Sequence, residues 1–190
     1  MVTALCRVEN KMWLGDSAGR ISVYSASTMA LLWSVRVQEA VGGAPSAVSA
    51  LLALARLQRV AVALSCGRLF LVTSQRPEAE ASFVLTELGT ATDLCCLAGV
   101  TTPHGCEVWA GGDGLYSYAI SASGVCGAEA VQTPAQCRVT LLTSAEREPY
   151  VIAYCDPGVC VYQWSVRTKE QTARLDVSRL VPCSESLQSI

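Results

Sequence analysis

Four short segments of the chain repeat one pattern: an apolar strand, a tight turn that ends in glycine, and a second apolar strand. The turn glycines are Gly19, Gly67, Gly114 and Gly158. Successive turns therefore lie roughly 45 residues apart, a period typical of stacked β-hairpin repeats. The repeat predicts an all-β chain whose units bury one another's apolar faces, rather than a fold built around helices.

Each unit divides into four strands, which we label a to d. The predicted units cover residues 2–38, 46–88, 91–132 and 137–178, and a further strand begins at 184–190. Four four-stranded units of this length predict a β-propeller of about four blades, forming part of an incomplete ring. We therefore expect this chain to be a fragment or isoform of a longer protein whose propeller has about seven blades.

Two local features support strands over the alternatives. Glycine in each b–c turn is expected to supply a left-handed residue that reverses the chain without steric cost. Residues 46–57 are rich in Ala and Leu and could instead form a short helix, but the repeat period requires a strand there. Arg56 and Arg59 interrupt the longest apolar stretch, so we expect no transmembrane helix.

The composition of the chain limits the classes of partner that it could bind. Charged residues make up 16% of the chain, hydrophobic residues 51%, and the net charge is −2. The basic residues are scattered, which argues against a nucleic-acid groove or an anionic membrane as the partner. The spacing of the 10 cysteines shows no disulfide framework, so we expect them to be mostly buried thiols. The sequence also shows no secretory signal, and together these features predict a cytoplasmic location.

The repeats resemble divergent WD-repeat blades. The resemblance rests on Trp13-Leu14-Gly15, on Val108-Trp109-Ala110-Gly111 and on the strand 20–24 that follows Gly19. No Trp-Asp pair ends a strand c and no Gly-His pair opens a blade, so the usual hydrogen-bond network between blades does not carry over. The residues near the place of the usual tryptophan are Tyr24, Val72, Tyr118 and Trp164. Such blades are similar to those appended to Roco kinases and to Rho- or Rab-family exchange factors.

Two patterns in the sequence bear on catalysis and on metal binding. Ser17, within 15–19, matches a nucleophile-elbow pattern, but the only histidine, His104, lies in another unit and follows the serine. A hydrolytic propeller is therefore a remote alternative. His104 and Cys106 are capable metal ligands, but no Cys-x-x-Cys occurs, and Cys95 and Cys96 are expected to point to opposite faces of a strand. We expect no metal and no cofactor.

Three acidic residues occupy b–c turns, Asp16, Asp113 and Asp156. Aspartate is common in turns because its carboxylate accepts hydrogen bonds from nearby amides, and this structural role is the leading interpretation. The b–c turns and the d–a loops of a propeller share one rim, so these carboxylates, together with Ser17, could also form an acidic arc that binds a partner. The partner would be a protein, such as a basic peptide or a small GTPase.

The remaining candidates have structural interpretations. Trp13 and Trp109 recur at matched positions in strand b, which predicts core packing rather than a binding role. For Trp33 and Trp164 the sequence leaves both the core role and the binding role open. The basic residues near the last c–d turn are expected to form a solvated face: Arg167, Lys169 and Arg174. The sequence thus predicts a non-enzymatic interaction or scaffold module, or alternatively a regulatory propeller fragment of a larger signalling enzyme.

Overall fold

The computed structural model describes residues 1–73, 84–122, 124–134, 137–144 and 149–178. Within these ranges the chain forms four sheets, each with four antiparallel strands. In each sheet a strand pairs with the next one along the chain, so every sheet is a simple meander. The prediction of an all-β chain made of repeated four-stranded units is confirmed.

The strands follow the predicted hairpins closely. The first sheet contains β1 (Val2–Val8), β2 (Lys11–Asp16), β3 (Arg20–Ser25) and β4 (Leu31–Arg36). The second contains β5 (Val48–Leu54), β6 (Arg59–Leu64), β7 (Arg68–Thr73) and β8 (Val84–Thr90). The third contains β9 (Cys96–Thr102), β10 (Gly105–Gly111), β11 (Leu115–Ser121) and β12 (Gly124–Val131). The fourth contains β13 (Arg138–Ser144), β14 (Tyr150–Asp156), β15 (Cys160–Ser165) and β16 (Gln171–Asp176).

Helical residues are few in the described ranges. The α-helix α1 covers Val37–Val41 and a 3-10 helix covers Ala55–Leu57. The alternative of a helix over residues 46–57 is wrong, since β5 occupies most of that stretch and pairs with β6. Within the described part of the chain, no helix has the length and apolar character needed to cross a membrane.

One strand boundary differs from the prediction by several residues. The third unit was predicted to begin at residue 91, but its first strand begins only at Cys96. Asp93 has a left-handed φ of 51°, which extended β-structure excludes. The carbonyl of Thr92 accepts a hydrogen bond from the Asp113 amide at 3.2 Å, so this segment belongs to the connection between sheets. The further strand predicted at 184–190 lies outside the described residues.

The described residues form three hydrophobic cores, each between two consecutive sheets. The first is centred on Trp13 and Phe70 and joins the first and second sheets. The next joins the second and third sheets around Leu69 and Val108, and the last joins the third and fourth sheets, with Trp164 among its buried residues. Strands β6 and β10 are apolar and buried along most of their length because they are covered on both faces.

The sheets are arranged radially around their first strands. Close contacts run from β1 to β5, from β5 to β9 and from β9 to β13. Side chains also bond across these junctions: Thr3 Oγ1 donates to Val48 O at 2.5 Å, and Ser144 Oγ donates to Gly99 O at 2.6 Å. The outward faces of the first and fourth sheets keep exposed apolar residues, such as Leu5 and Leu175.

Candidate functional site

The b–c turns and the connections between sheets form one continuous edge of the molecule, which we call the b–c rim. Main-chain hydrogen bonds tie the first three of these turns to the chain segment that follows the same sheet. The bonds are Val37 N to Gly19 O at 3.0 Å, Ala91 N to Gly67 O at 2.8 Å and Val139 N to Gly112 O at 2.8 Å. The rim is therefore a fixed platform rather than a set of independent loops.

The turn glycines play different roles in the four turns. Gly19 and Gly67 have left-handed φ angles of 73° and 90°, as predicted. The prediction is wrong for Gly114 and Gly158, neither of which has a left-handed φ. In the fourth turn Val159 takes the left-handed conformation instead, with φ of 46°. The spacing of turn glycines thus located the hairpins without fixing their backbone geometry.

The Asp16 carboxylate is used within its own turn. Its Oδ1 atom accepts hydrogen bonds from the amides of Ala18 and Arg20, both at 2.9 Å. This is the turn-stabilising role predicted for aspartate. Ser17 beside it is exposed, and its hydroxyl accepts a hydrogen bond of 3.2 Å from the amino group of Met1.

The other two predicted carboxylates lie further along the same rim. Asp113 is exposed, and its carboxylate lies 3.7 Å from a guanidinium nitrogen of Arg138. Arg138 also binds Asp93 at 2.6 Å, which connects the third and fourth sheets. Asp156 is exposed at the end of β14, where its Cα partner in β13 is Arg138. Arg138, which was not among the predicted residues, therefore pairs with the carboxylates of Asp93 and Asp113 and lies opposite Asp156 on the neighbouring strand.

The rim carries basic side chains as well as acidic ones. Arg68 donates two hydrogen bonds to Glu87, at 2.9 and 3.0 Å, and these bonds lower the pKa of Glu87. Arg36 pairs with Glu39 at 3.1 Å. The predicted acidic arc is thus interspersed with ion pairs, and its charge is smaller than the three aspartates alone suggest.

The residues of the hydrolase alternative do not meet. Ser17 lies in the b–c turn between β2 and β3, whereas His104 lies in the a–b turn between β9 and β10. The a–b turns are at the opposite end of the strands, so the hydroxyl and the imidazole are on opposite rims. A general base must lie within hydrogen-bond reach of its nucleophile, and this pair does not meet that requirement.

The metal-binding alternative is also unsupported by the geometry. Among the described residues, no three His, Cys, Asp or Glu side chains are grouped to hold a metal ion. His104 is exposed and Cys106 is buried in the core between the second and third sheets. The expectation that Cys95 and Cys96 face apart is wrong: both thiols donate to the carbonyl of Val139, at 3.1 and 3.6 Å. Strand alternation fails there because Cys95 precedes β9.

The cysteine prediction holds only in part. The described cysteines are free thiols, and three of them are buried, but Cys66 and Cys126 are exposed. Burial raises the pKa of Cys106 to about 11 and that of Cys6 to about 12. Both of these thiols therefore stay protonated at neutral pH.

Lys169 corrects the prediction of a solvated basic face. Its side chain is only 16% exposed, and its ammonium group donates to the Glu107 carboxylate and to Val166 O. The ammonium group also lies 4.8 Å from the ring centroid of Trp109. Lys169 belongs to the c–d turn of the fourth sheet and Glu107 to β10 of the third. The pair therefore holds two sheets together.

The tryptophans follow the core interpretation. Trp13 and Trp109 are 1% and 0% exposed, and Trp164 is also fully buried. Trp33 packs edge-on against Trp13 with ring centroids 4.9 Å apart. The Trp164 indole donates to Gln132 O at 3.2 Å, whereas the Trp13 and Trp109 indole nitrogens are buried and have no hydrogen-bond partner among the residues that the structure describes.

A groove on the opposite rim was not predicted from the sequence. It has a volume of about 460 Å³ and lies where the 3-10 helix and the ends of β5, β9 and β13 meet. Its lining includes Leu52, Leu57, Val100 and the side chain of Arg56. These residues come from different units, and only the radial arrangement of the sheets brings them together.

Comparison with known proteins gives the fold but not a family. No family model matches the sequence, and no curated protein matches it. The chain is similar to the WD40 domain of Neurospora crassa Pan2, with 15% identity, a TM-score of 0.62, and coverage of 92% of this chain and 49% of that one. It is also similar to the β-propeller domain of Cps50 (Swd1) from Myceliophteria thermophila, with 14% identity, a TM-score of 0.65, and coverage of 87% and 54%.

These similarities define the class of fold. The described sheets are blades of a WD40-type β-propeller, which confirms the predicted fold class. The chain spans about half the length of each of the two solved propellers. Identity at this level carries the architecture alone, so function has to be argued from this chain's own surface.

Proposed function

We propose that this chain is a non-enzymatic interaction module that binds a protein partner at the b–c rim. The proposal is supported by one observation: charged side chains stand on turns that main-chain hydrogen bonds tie to the segments that follow the sheets. Asp16 is fixed by two amides, and Arg138 by Asp93 and Asp113. Rigid loops on a β scaffold lower the entropy cost of binding, because little has to be ordered when the partner docks.

Asp113 and Asp156 are the best candidates for direct contact, since both are exposed on this rim. A partner with lysine or arginine side chains could pair with them, and Ser17 could donate or accept a hydrogen bond beside Asp16. We therefore propose a basic peptide segment, either isolated or on the surface of a small GTPase, as the class of partner. Rim charges of this kind act mainly on the association rate and its salt dependence.

Fluorescence anisotropy with a lysine-rich labelled peptide and a glutamate-rich peptide of equal length tests this proposal. We expect the basic peptide to bind more tightly, and its affinity to fall with added salt and in the double variant Asp113→Asn/Asp156→Asn. The control variant Arg56→Glu alters charge on the opposite rim and should leave binding unchanged. Equal binding to the wild type and the double variant would reject the acidic contact.

The wider setting suggested by the sequence resemblance remains part of this proposal. A regulatory propeller within a Roco-type kinase or a small-GTPase exchange factor, acting in the cytoplasm, would use the same rim to position or inhibit a catalytic domain. The experiment adds the isolated catalytic domain of such a protein to this chain and measures both binding and catalytic activity. It distinguishes a passive scaffold from a regulatory propeller. A passive scaffold binds without changing the activity, whereas a regulatory propeller changes it.

A further inference from the structure

The first and fourth sheets each have one face that takes no part in the three cores. In β14, Val151 and Ala153 belong to the core with the third sheet, whereas Ile152 between them lies on the other face and is 37% exposed. In β2, Trp13 belongs to the core with the second sheet, so its neighbour Leu14 lies on the other face. Within the described part of the chain, the stack therefore ends on each side in a face that packs on no further sheet.

The unpaired face of the fourth sheet, which we call the fourth end face, carries a row of apolar side chains. The members of the row are paired in order from β13 to β16: Leu141, Tyr154, Val161 and Leu175. Directly paired residues share a face of an antiparallel sheet, so the row crosses all four strands. Leu141 and Leu175 are 39% and 58% exposed. A face with apolar side chains on every strand is typical of a sheet that another layer covers.

The unpaired face of the first sheet, which we call the first end face, is also apolar. Leu5 pairs with Leu14 in the neighbouring strand. A second row on this face includes Met12, Tyr24 and Leu31, which are paired in order from β2 to β4. Leu5 and Leu31 are 58% and 55% exposed. Single exposed apolar residues are normal, but a contiguous apolar patch at each end of one molecule indicates a protein-binding surface.

The two end faces correspond to the two sides of the junctions inside the molecule. At each internal junction, the face that one sheet turns toward the next sheet packs on the opposite face of that next sheet. The fourth end face is the side that would meet a following sheet, and the first end face is the side that would meet a preceding one. Each end face is therefore of the kind that the other one packs against.

We propose that the two end faces bind each other between two copies of this chain, so that a dimer closes a ring of eight sheets. The fourth end face of each copy packs on the first end face of the other, which gives two identical contacts. Contacts between unlike faces close into a ring only if the rotation per copy divides a full turn. The chain spans about half the length of each of the two solved propellers, so its four sheets turn through about half of a ring. Two copies complete the turn, and eight blades lie within the range known for propellers.

The contact area is sufficient for a stable dimer. Strands lie about 4.8 Å apart and rise about 3.3 Å per residue, so a face of four strands with about six residues each measures roughly 380 Å². The four faces that meet in the dimer together measure roughly 1,500 Å², which is the size of a standard protein–protein interface. Since the end faces lie between sheets, the b–c rims of both copies stay accessible on the same side of the ring.

Analytical ultracentrifugation of the 190-residue chain tests the proposal. Over about a hundred-fold range of protein concentration, we expect a species of twice the 20.1 kDa chain mass that dissociates to single chains on dilution. Single chains at every concentration would overturn the proposal. Assemblies that keep growing with concentration would overturn it as well, since the contacts would then leave the ends of the ring open.

Substitutions on the end faces identify the surfaces in contact. Leu5→Asp and Leu175→Asp each place a charge on one end face, and because both leucines are 58% exposed, the fold of the single chain should tolerate the change. We expect each substitution to raise the Kd of the dimer about a hundred-fold or more, because it brings an unpaired carboxylate into both contacts. The matched control Val125→Asp adds the same charge to β12 of the third sheet and should leave the dimer unchanged.

A mixture of the two end-face variants distinguishes pairing of unlike faces from pairing of like faces. In a mixed dimer of the Leu5→Asp and Leu175→Asp chains, one contact carries both substitutions and the other carries neither. We therefore expect the mixture to form more dimer than either variant does alone. The proposal is wrong if mixing gains nothing, if either variant alone dimerises like the wild type, or if the control variant dissociates equally.

Discussion

The ion pair between Lys169 and Glu107 gives the sharpest test of how neighbouring blades are held together. The two side chains are 16% and 11% exposed and belong to different sheets. Replacing Lys169 with Met keeps most of the apolar stem but removes the ammonium group. The Glu107 carboxylate then stays in a largely dry position without its cationic partner.

The expected cost follows from this burial. Removing one partner of a fully buried pair costs about 3–5 kcal/mol, and the residual exposure of both groups lowers that to about 2–3 kcal/mol. About 1 kcal/mol of this comes from the lost contact between the ammonium group and the Trp109 ring. Replacing both members, as Lys169→Met/Glu107→Leu, removes the uncompensated charge and should recover most of the loss.

Urea unfolding followed by tryptophan fluorescence measures these differences. The matched control is Arg167→Met, because Arg167 is exposed in the same turn, and we expect it to change the free energy of unfolding by less than about 0.5 kcal/mol. The reasoning is refuted if Lys169→Met costs no more than this control. It is also refuted if the double variant is as unstable as the sum of its single variants, since the pair would then have no coupling.

Two further substitutions test the turn and core assignments. Gly67→Ala should destabilise the chain by about 3 kcal/mol or more in urea unfolding, since Gly67 has a φ of 90° and an added Cβ would collide with the Ala91 carbonyl. The control is Gly127→Ala, whose added Cβ meets no described atom within 4 Å and should change the free energy of unfolding by less than about 1 kcal/mol. Equal effects of the two substitutions would contradict the turn geometry. Trp164→Phe should cost about 1 kcal/mol more than Trp13→Phe in the same assay, because of the two indoles only that of Trp164 gives up a hydrogen bond. If Trp164→Phe costs no more than Trp13→Phe, this hydrogen bond contributes nothing to stability.

The fold was predictable because its signal is local and repeated. Apolar residues at strand positions and a glycine-containing turn about every 45 residues identify the hairpins, and matched positions such as Trp13 and Trp109 identify the core side of strand b. The prediction failed where backbone detail depends on one residue. Val159 replaces Gly158 as the left-handed residue, and Asp93 delays the start of β9.

The site was less predictable because its contacts cross between sheets. Lys169 and Glu107 are 62 residues apart, and no periodicity connects a c–d turn to the middle of another unit's strand. Asp113 was chosen for its turn, but its arginine neighbour enters from the next sheet. These ion pairs form because of how neighbouring sheets are oriented relative to one another. That orientation leaves no local pattern in a single sequence with few charges.

The serial arrangement of the three cores has a consequence for local opening. Each core formed by the described residues joins two consecutive sheets, and none of them spans all four. The first or the fourth sheet of a single chain can therefore detach while the two sheets between them remain packed. Amide protons of β6, β7, β10 and β11 should therefore exchange with deuterium more slowly than those of β1–β4 and β14–β16. Unfolding then proceeds by fraying inward from the two outer sheets, and the last structure to exchange is the pair of sheets at the centre.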